Sequence, residues 1–229
     1  MKLLVANYKM NGNKSFYQKV SEIINNLKLK DTVVLCPPFV YMPFLNLNNE
    51  NLFLGSQDIS NVDNSKSTGQ ISAKMLKEFN TKYAIIGHSE RRAVGEDETV
   101  IAEKVKMAQM NEIVPIVCVG EKTKTASLDI VAQQVKSALS IAIDSEIVFA
   151  YEPVWAIGSG EQPTVQIISK VLKLIKDTAK ELGFNVKVLY GGSVNASNYK
   201  EVSKSGVDGF LMGGVSNKIE EFVKILKGE

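Results

Sequence analysis

The sequence predicts a (β/α)8 barrel, an α/β fold of eight parallel strands ringed by helices, with residues 1–229 forming a single domain. Three observations carry that expectation. Short apolar, β-branched runs recur eight times, and amphipathic stretches at helical spacing separate most of them. One run with its following stretch occupies about 29 residues, which suits a βα repeat of the kind that builds parallel sheets. Periodicity alone leaves a doubly wound open sheet as the alternative, while eight units favour closure.

In chain order the strand-like runs fall at 3–6, 32–36, 52–55, 83–86, 114–119, 147–150, 186–189 and 210–212. They are nearly continuously apolar rather than alternating, as expected when helices cover the outside of a sheet and side chains fill its inside. Helical stretches are predicted at 16–27, 98–110, 129–142, 165–182 and 219–226, and Ser89-Glu90-Arg91 could open another. Helix-end chemistry agrees: Gly183 follows the longest stretch, and Lys224 and Lys227 lie in the last turn of the final one.

Composition narrows the partners. With 27 basic and 25 acidic side chains the net charge is +2, so no global field favours nucleic acid or an anionic membrane, and any anion must be held locally. The apolar start, Met1 to Ala6, is shorter than the roughly 7–15 residues a signal peptide needs, and no run approaches the length of about 20 that spans a membrane. A cytoplasmic protein is expected. Cys36 and Cys118 each sit inside an apolar run and read as small buried hydrophobes, not as a disulfide. A lone histidine and two separated cysteines argue against a metal site built on those residues.

In such a barrel the chemistry sits at the carboxyl ends of the strands. Asn7 and Lys9 follow the first run, Gln57 the third, His88 the fourth, Glu152 the sixth, Gly191-Gly192-Ser193 the seventh and Gly213-Gly214 the eighth. His88 is the only histidine. A ring at a helix amino terminus has its cationic form disfavoured, so it would stay neutral and donate a hydrogen bond, although a satisfied structural histidine is the plainer reading. Glu152 precedes the apolar segment Pro153-Val154-Trp155-Ala156-Ile157, and a carboxylate capped in that way loses water and becomes a stronger base. Taken alone, a strand-end glutamate is more often an ion-pair partner than a catalyst. The run from Ala156 to Gly160 is apolar at one end and glycine-rich at the other, which suits a closing lid or an ordinary surface loop. The two glycine pairs offer bare amides that can cradle phosphate, and both stand where barrels commonly bind it. Lys9 is raised above the default of a solvated lysine by standing two residues after Asn7.

As words, Asn7-Tyr8-Lys9-Met10-Asn11-Gly12, Ile86-Gly87-His88-Ser89-Glu90-Arg91-Arg92, Cys118-Val119-Gly120-Glu121, the segment from Ala150 to Gly160, Tyr190-Gly191-Gly192-Ser193-Val194 and Leu211-Met212-Gly213-Gly214 resemble the signature segments of the triosephosphate isomerase family, in its order and across the whole chain. That resemblance implies a cofactor-free enzyme that interconverts dihydroxyacetone phosphate and glyceraldehyde 3-phosphate through an enediolate. It implies Glu152 as general base, His88 as the neutral electrophile that shuttles protons between the oxygens, and Lys9 and Asn7 as holders of negative charge. It also implies main-chain amides at Gly158, Ser193, Gly213 and Gly214 on the phosphate, a lid from Pro153 to Gly160, and a homodimer whose contact loop has its tip at Thr68-Gly69-Gln70-Ile71-Ser72.

Several positions depart from that pattern. Gln70 stands for the usual glutamate, so an ion pair across the dimer interface, to Arg91, becomes a neutral-to-charged hydrogen bond and a weaker dimer is expected. Asp58 replaces the usual asparagine. Glu161-Gln162-Pro163 replaces lysine and alanine after Gly160, and the proline is expected to stiffen the second hinge of the lid. The stretch between Glu121 and Leu128 is shorter than the family's, which is expected to trim an outer helix. The competing expectations are another phosphate-binding barrel, such as a pentulose-phosphate epimerase, and a barrel that has lost catalysis and serves as a binding scaffold. The latter would predict decay at Lys9, His88 or Glu152, and all three are intact.

Overall fold

The structure is a computed structural model and describes residues 1–63, 66–157 and 161–229. Eight parallel strands close on themselves in sequence order: β1 (Leu3–Asn7), β2 (Thr32–Cys36), β3 (Leu52–Ser56), β4 (Tyr83–Ile86), β5 (Val114–Val119), β6 (Val148–Tyr151), β7 (Lys187–Tyr190) and β8 (Gly209–Met212). β1 pairs with both β2 and β8, so the sheet has no edge and the open-sheet alternative is excluded.

Around the strands run α1 (Lys14–Asn25), α2 (Ala73–Glu78), α3 (Ser89–Ala93), α4 (Glu98–Met110), α5 (Asp129–Leu139), α6 (Val165–Glu181), α7 (Tyr199–Ser203) and α8 (Ile219–Lys227). Their starts follow side-chain chemistry: Asn13, Ser72, Asp97 and Thr164 each accept a hydrogen bond from a main-chain N–H three residues on. α6 buries Ile168, Val171, Leu172, Ile175 and Ala179, an i, i+3, i+4 stripe that faces the sheet. The unit after β2 differs from the repeat. There the chain makes a 3₁₀ segment, Phe39–Phe44, preceded by Pro38 and interrupted by Pro43, whose missing N–H groups prevent an α-helix.

Strand residues partition by parity. Leu3, Val5, Val34, Cys36, Ile85, Val114, Ile116, Cys118, Val148, Ala150, Leu189 and Leu211 form one buried cluster inside the barrel. Their neighbours, such as Leu4, Ala6, Val117, Val119 and Phe149, pack outward on the helices. Followed past the strand ends, the inward series reaches Asn7 on β1, Glu152 after β6, Gly191 after β7 and Gly213 after β8. The period of two therefore carries the interior series from apolar core to polar rim without a break in register. His88 is one residue out of phase with Ile85. Gly87 precedes it at φ 65°, a left-handed conformation open to glycine, and the chain turns there before α3 begins.

Candidate active site

The rim encloses a cavity of about 350 Å³ whose lining includes Asn7, Lys9, His88, Glu152, Ser193, Gly213 and Gly214. Of the eight residues to which the resemblance gives a catalytic or phosphate-binding role, seven therefore meet in one place, while Gln57 is not among the lining residues. Gly158, with Ser159 and Gly160, lies outside the described residues. The lining also takes in Asn11, Ile157, Leu211 and Asn217, which sequence reasoning had not assigned to the site.

Asn7 is buried, and its Oδ1 accepts the main-chain N–H of Lys9 at 3.0 Å. Lys9 itself has φ 52°, sparsely populated for a lysine, and Gln57 braces it: the Gln57 Nε2 donates to the carbonyls of Lys9 at 2.8 Å and Cys36 at 2.9 Å. The Lys9 ammonium pairs with Glu90 at 2.6 Å. Five-residue α3 thus touches the other side chains of the site. The N–H of Glu90 donates to His88 Nδ1 at 3.2 Å, and the N–H of Ser89 donates to Glu152 Oε2 at 3.0 Å. With Nδ1 accepting, the neutral imidazole carries its proton on Nε2. Nε2 lies 3.1 Å from Glu152 Oε1, yet the two make no hydrogen bond, and among the described residues Oε1 is a buried acceptor without a hydrogen-bond partner. A buried carboxylate oxygen left in that state is costly unless something else is meant to meet it. The charge of Glu152 reaches behind the site: burial first, and that charge second, push the Cys118 thiol well above its usual range.

Glu121, after β5, is a structural post. Its Oε1 accepts the Tyr151 hydroxyl at 2.9 Å and the Trp155 indole N–H at 2.7 Å. Trp155 belongs to the 3₁₀ turn Val154–Ala156 that begins the expected lid. Near the second hinge, Gln162 donates to the carbonyl of Ser193, Lys124 pairs with Glu161 at 2.9 Å, and Pro163 is buried. The Tyr190 hydroxyl, buried and without a partner among the described residues, is pushed up to about 12 by burial and then by the charge of Glu121.

The structure also gives Asp58 a role. Its carboxylate lies 2.6 Å from the ammonium of Lys104, which is 3% exposed, and 3.2 Å from Arg91. Glu96 completes the cluster at 2.5 Å from both cations. Two cations face two carboxylates, so the buried lysine is neutralised, as burial of a charge requires. Burial raises the pKa of Asp58 against the opposing pull of Lys104. Arg91, expected to face Gln70 of a second subunit, is engaged within its own chain.

Both cysteines are free and buried. Among the described residues, no helix is long and apolar enough to cross a membrane.

Comparison with known proteins agrees with this arrangement. A sequence model of the triosephosphate isomerase family matches residues 2–229. The triosephosphate isomerase of Orientia tsutsugamushi (strain Boryong) is 38% identical over 243 residues, covering 98% of this chain and 96% of its own. That of Thermoanaerobacter sp. (strain X514) is 38% identical over 242 residues, and that of Mesomycoplasma hyopneumoniae (strain 232) 36% over 240, each covering 98% of both chains. With its closed parallel barrel and a match over almost its whole length, the chain belongs to the triosephosphate isomerase family.

Proposed function

We propose that the cavity carries out the isomerisation of dihydroxyacetone phosphate and D-glyceraldehyde 3-phosphate with Glu152 as the proton carrier. The observation that carries this assignment is the unpartnered Glu152 Oε1, buried beside the cavity and 3.1 Å from His88 Nε2. The carboxylate removes a proton from the hydroxymethyl carbon of the ketone, the electron pair moves into a carbon–carbon double bond, and the carbonyl oxygen takes the negative charge. His88 donates from Nε2 to that oxygen and moves a proton between the two oxygens, while the Lys9 ammonium and the Asn7 amide stabilise the charge. Glu152 then returns its proton to the neighbouring carbon, giving the aldehyde, so atoms and charge balance without an oxidant or an added cofactor.

The main-chain amides of Ser193, Gly213 and Gly214 suit the phosphate, and Gly158 is assigned with them by its place in the lid. Lid closure over Ile157 would exclude water and keep the enediolate from expelling its phosphate. With the family shown, the competing readings of an epimerase and of a non-catalytic scaffold are not favoured.

Residues 1–229 are taken as one catalytic domain acting in the cytoplasm. A homodimer is proposed through the loop around Thr68 and Gly69, and sedimentation of the purified protein at graded concentration would test it. The chemical assignment is tested by a coupled assay for the aldehyde from dihydroxyacetone phosphate. Glu152→Ala is expected to lose most activity, and Glu152→Asp, one methylene shorter, to lose turnover with binding little changed. Full activity in Glu152→Ala would overturn the assignment.

A further inference from the structure

Gln134 lies on α5, in the outer ring of the barrel, yet its side chain is directed at the rim and only 8% exposed. Its Oε1 accepts the N–H of Gly120 at 2.8 Å, and its Nε2 donates to the carbonyl of Gly120 at 3.3 Å. One side-chain amide therefore closes on both main-chain groups of one residue, which have left the ladder of β5 and need partners because they are buried. Gly120 has no room for a side chain: a Cβ there would lie 1.7 Å from the carbonyl oxygen of Glu152. The next residue, Glu121, accepts the N–H of Val154 on its carbonyl at 3.1 Å and holds Tyr151 and Trp155 through its carboxylate. The pair Gly120-Glu121 thus presses on the main chain of Glu152 on one side and on the first hinge of the lid on the other.

We propose that Gln134 is a positioning residue for the isomerisation, fixing where the main chain of Glu152 and the Trp155 hinge stand by clamping Gly120. The proposal rests on the roles of Glu152 and the lid given above. A primary amide suits the task because it sets one donor beside one acceptor without a charge. An apolar side chain there frees both groups of Gly120, and any shift is passed directly to Glu152 and Trp155. Because a displacement of about 1 Å remote from the chemistry can cost about a hundredfold in rate, a loss in kcat of about tenfold or more is expected. Lys9, Ser193, Gly213 and Gly214 follow β1, β7 and β8, away from Gly120 and Gln134, so KM should move by less than about threefold.

The test compares the parent with Gln134→Met, Glu152→Ala and Ser21→Ala, a control whose hydroxyl donates to the carbonyls of Tyr17 and Gln18 of its own helix. Turnover and KM are read together with the fluorescence of Trp155, the single tryptophan. Gln134→Met is expected to keep its far-ultraviolet circular dichroism, lose kcat, hold KM and shift its emission to the red as the bond to Glu121 loosens. Ser21→Ala should match the parent in every reading. If Gln134→Met does not fold, Gln134→Asn carries the same readings with a smaller fall in kcat. Parent-like turnover and emission in either folded variant overturns the proposal. Loss of folding in both also overturns it, since the residue would then determine the fold and not the site. Activity retained in Glu152→Ala, by contrast, would remove the assignment of the base on which the clamp depends.

Discussion

The ends of β5 and β6 each release a buried glutamate, and the two are treated in opposite ways. Glu121 is 4% exposed and its Oε1 holds two side-chain donors, Tyr151 and Trp155. Glu152 is 2% exposed, takes one main-chain N–H on Oε2, and leaves Oε1 unmet at the wall of a cavity. A carboxylate whose oxygen is engaged by neighbouring side chains can hold those neighbours still. One whose oxygen is free beside open space can accept a proton from a ligand. Burial, position after the strand and one unmet oxygen, Oε2 on Glu121 and Oε1 on Glu152, are common to both; what separates them is that Glu152 lines the cavity, whereas the engaged oxygen of Glu121 holds two side chains.

The contrast is broken or sharpened most strongly by making the same change at both positions. Glu152→Gln keeps size and an acceptor for Ser89 but removes the base, and kcat should fall by about 10²–10⁴-fold, the usual worth of a positioned acid or base. Glu121→Gln should cost no more than about tenfold, through the hinge and not through the proton. Equal losses would end the distinction. Next in size is Lys9→Met, which removes the cation while leaving Glu90 without its partner. Steady-state kinetics should show kcat/KM lower by about 10²–10³-fold, as for loss of a preorganised donor to a developing oxyanion.

A smaller effect of opposite sign is expected at Tyr8, whose hydroxyl is also buried and without a partner among the described residues, but whose ring packs edge-on against Phe16 and Tyr17 and does not line the cavity. There the unmet oxygen is a cost. Tyr8→Phe should raise the urea midpoint by the equivalent of about 1 kcal/mol at unchanged slope and leave turnover alone. The smallest effect concerns the thiols. Burial raises both Cys36 and Cys118, and the charge of Glu152 adds to the shift at Cys118. A raised thiol pKa lowers the thiolate fraction, so neither cysteine should react with a disulfide reagent at about pH 8 until the protein unfolds.

Much of this was legible in the chain. All eight strands fall within a residue or two of their apolar runs, because inside and outside faces both demand apolar side chains and the signal is strong. Asn7, His88 and Glu152 stood out as polar residues ending such runs. The missing helix after β2 was less visible: its place is taken by a proline-broken 3₁₀ segment that leaves the strand spacing intact. What sequence could not supply was the bracing. Gln57 meets Lys9 across 48 residues, Lys104 meets Asp58 across 46, and Gln134 reaches Gly120 from another layer of the fold. Polar side chains of that kind read as ordinary helix or loop residues until the barrel closes and brings their partners within reach. Asp58 shows the limit most clearly, since a carboxylate at that position is explained by the buried ammonium of Lys104, 46 residues away.

That Glu152 carries a proton between two carbons is tested most directly by running the reaction in deuterium oxide and locating the label by nuclear magnetic resonance. The parent should place solvent deuterium on the carbon next to the new aldehyde, through exchange at the protonated carboxyl group, and Glu152→Gln should place almost none on the same timescale. Turnover and labelling by Glu152→Gln at the rates of the parent would contradict the account.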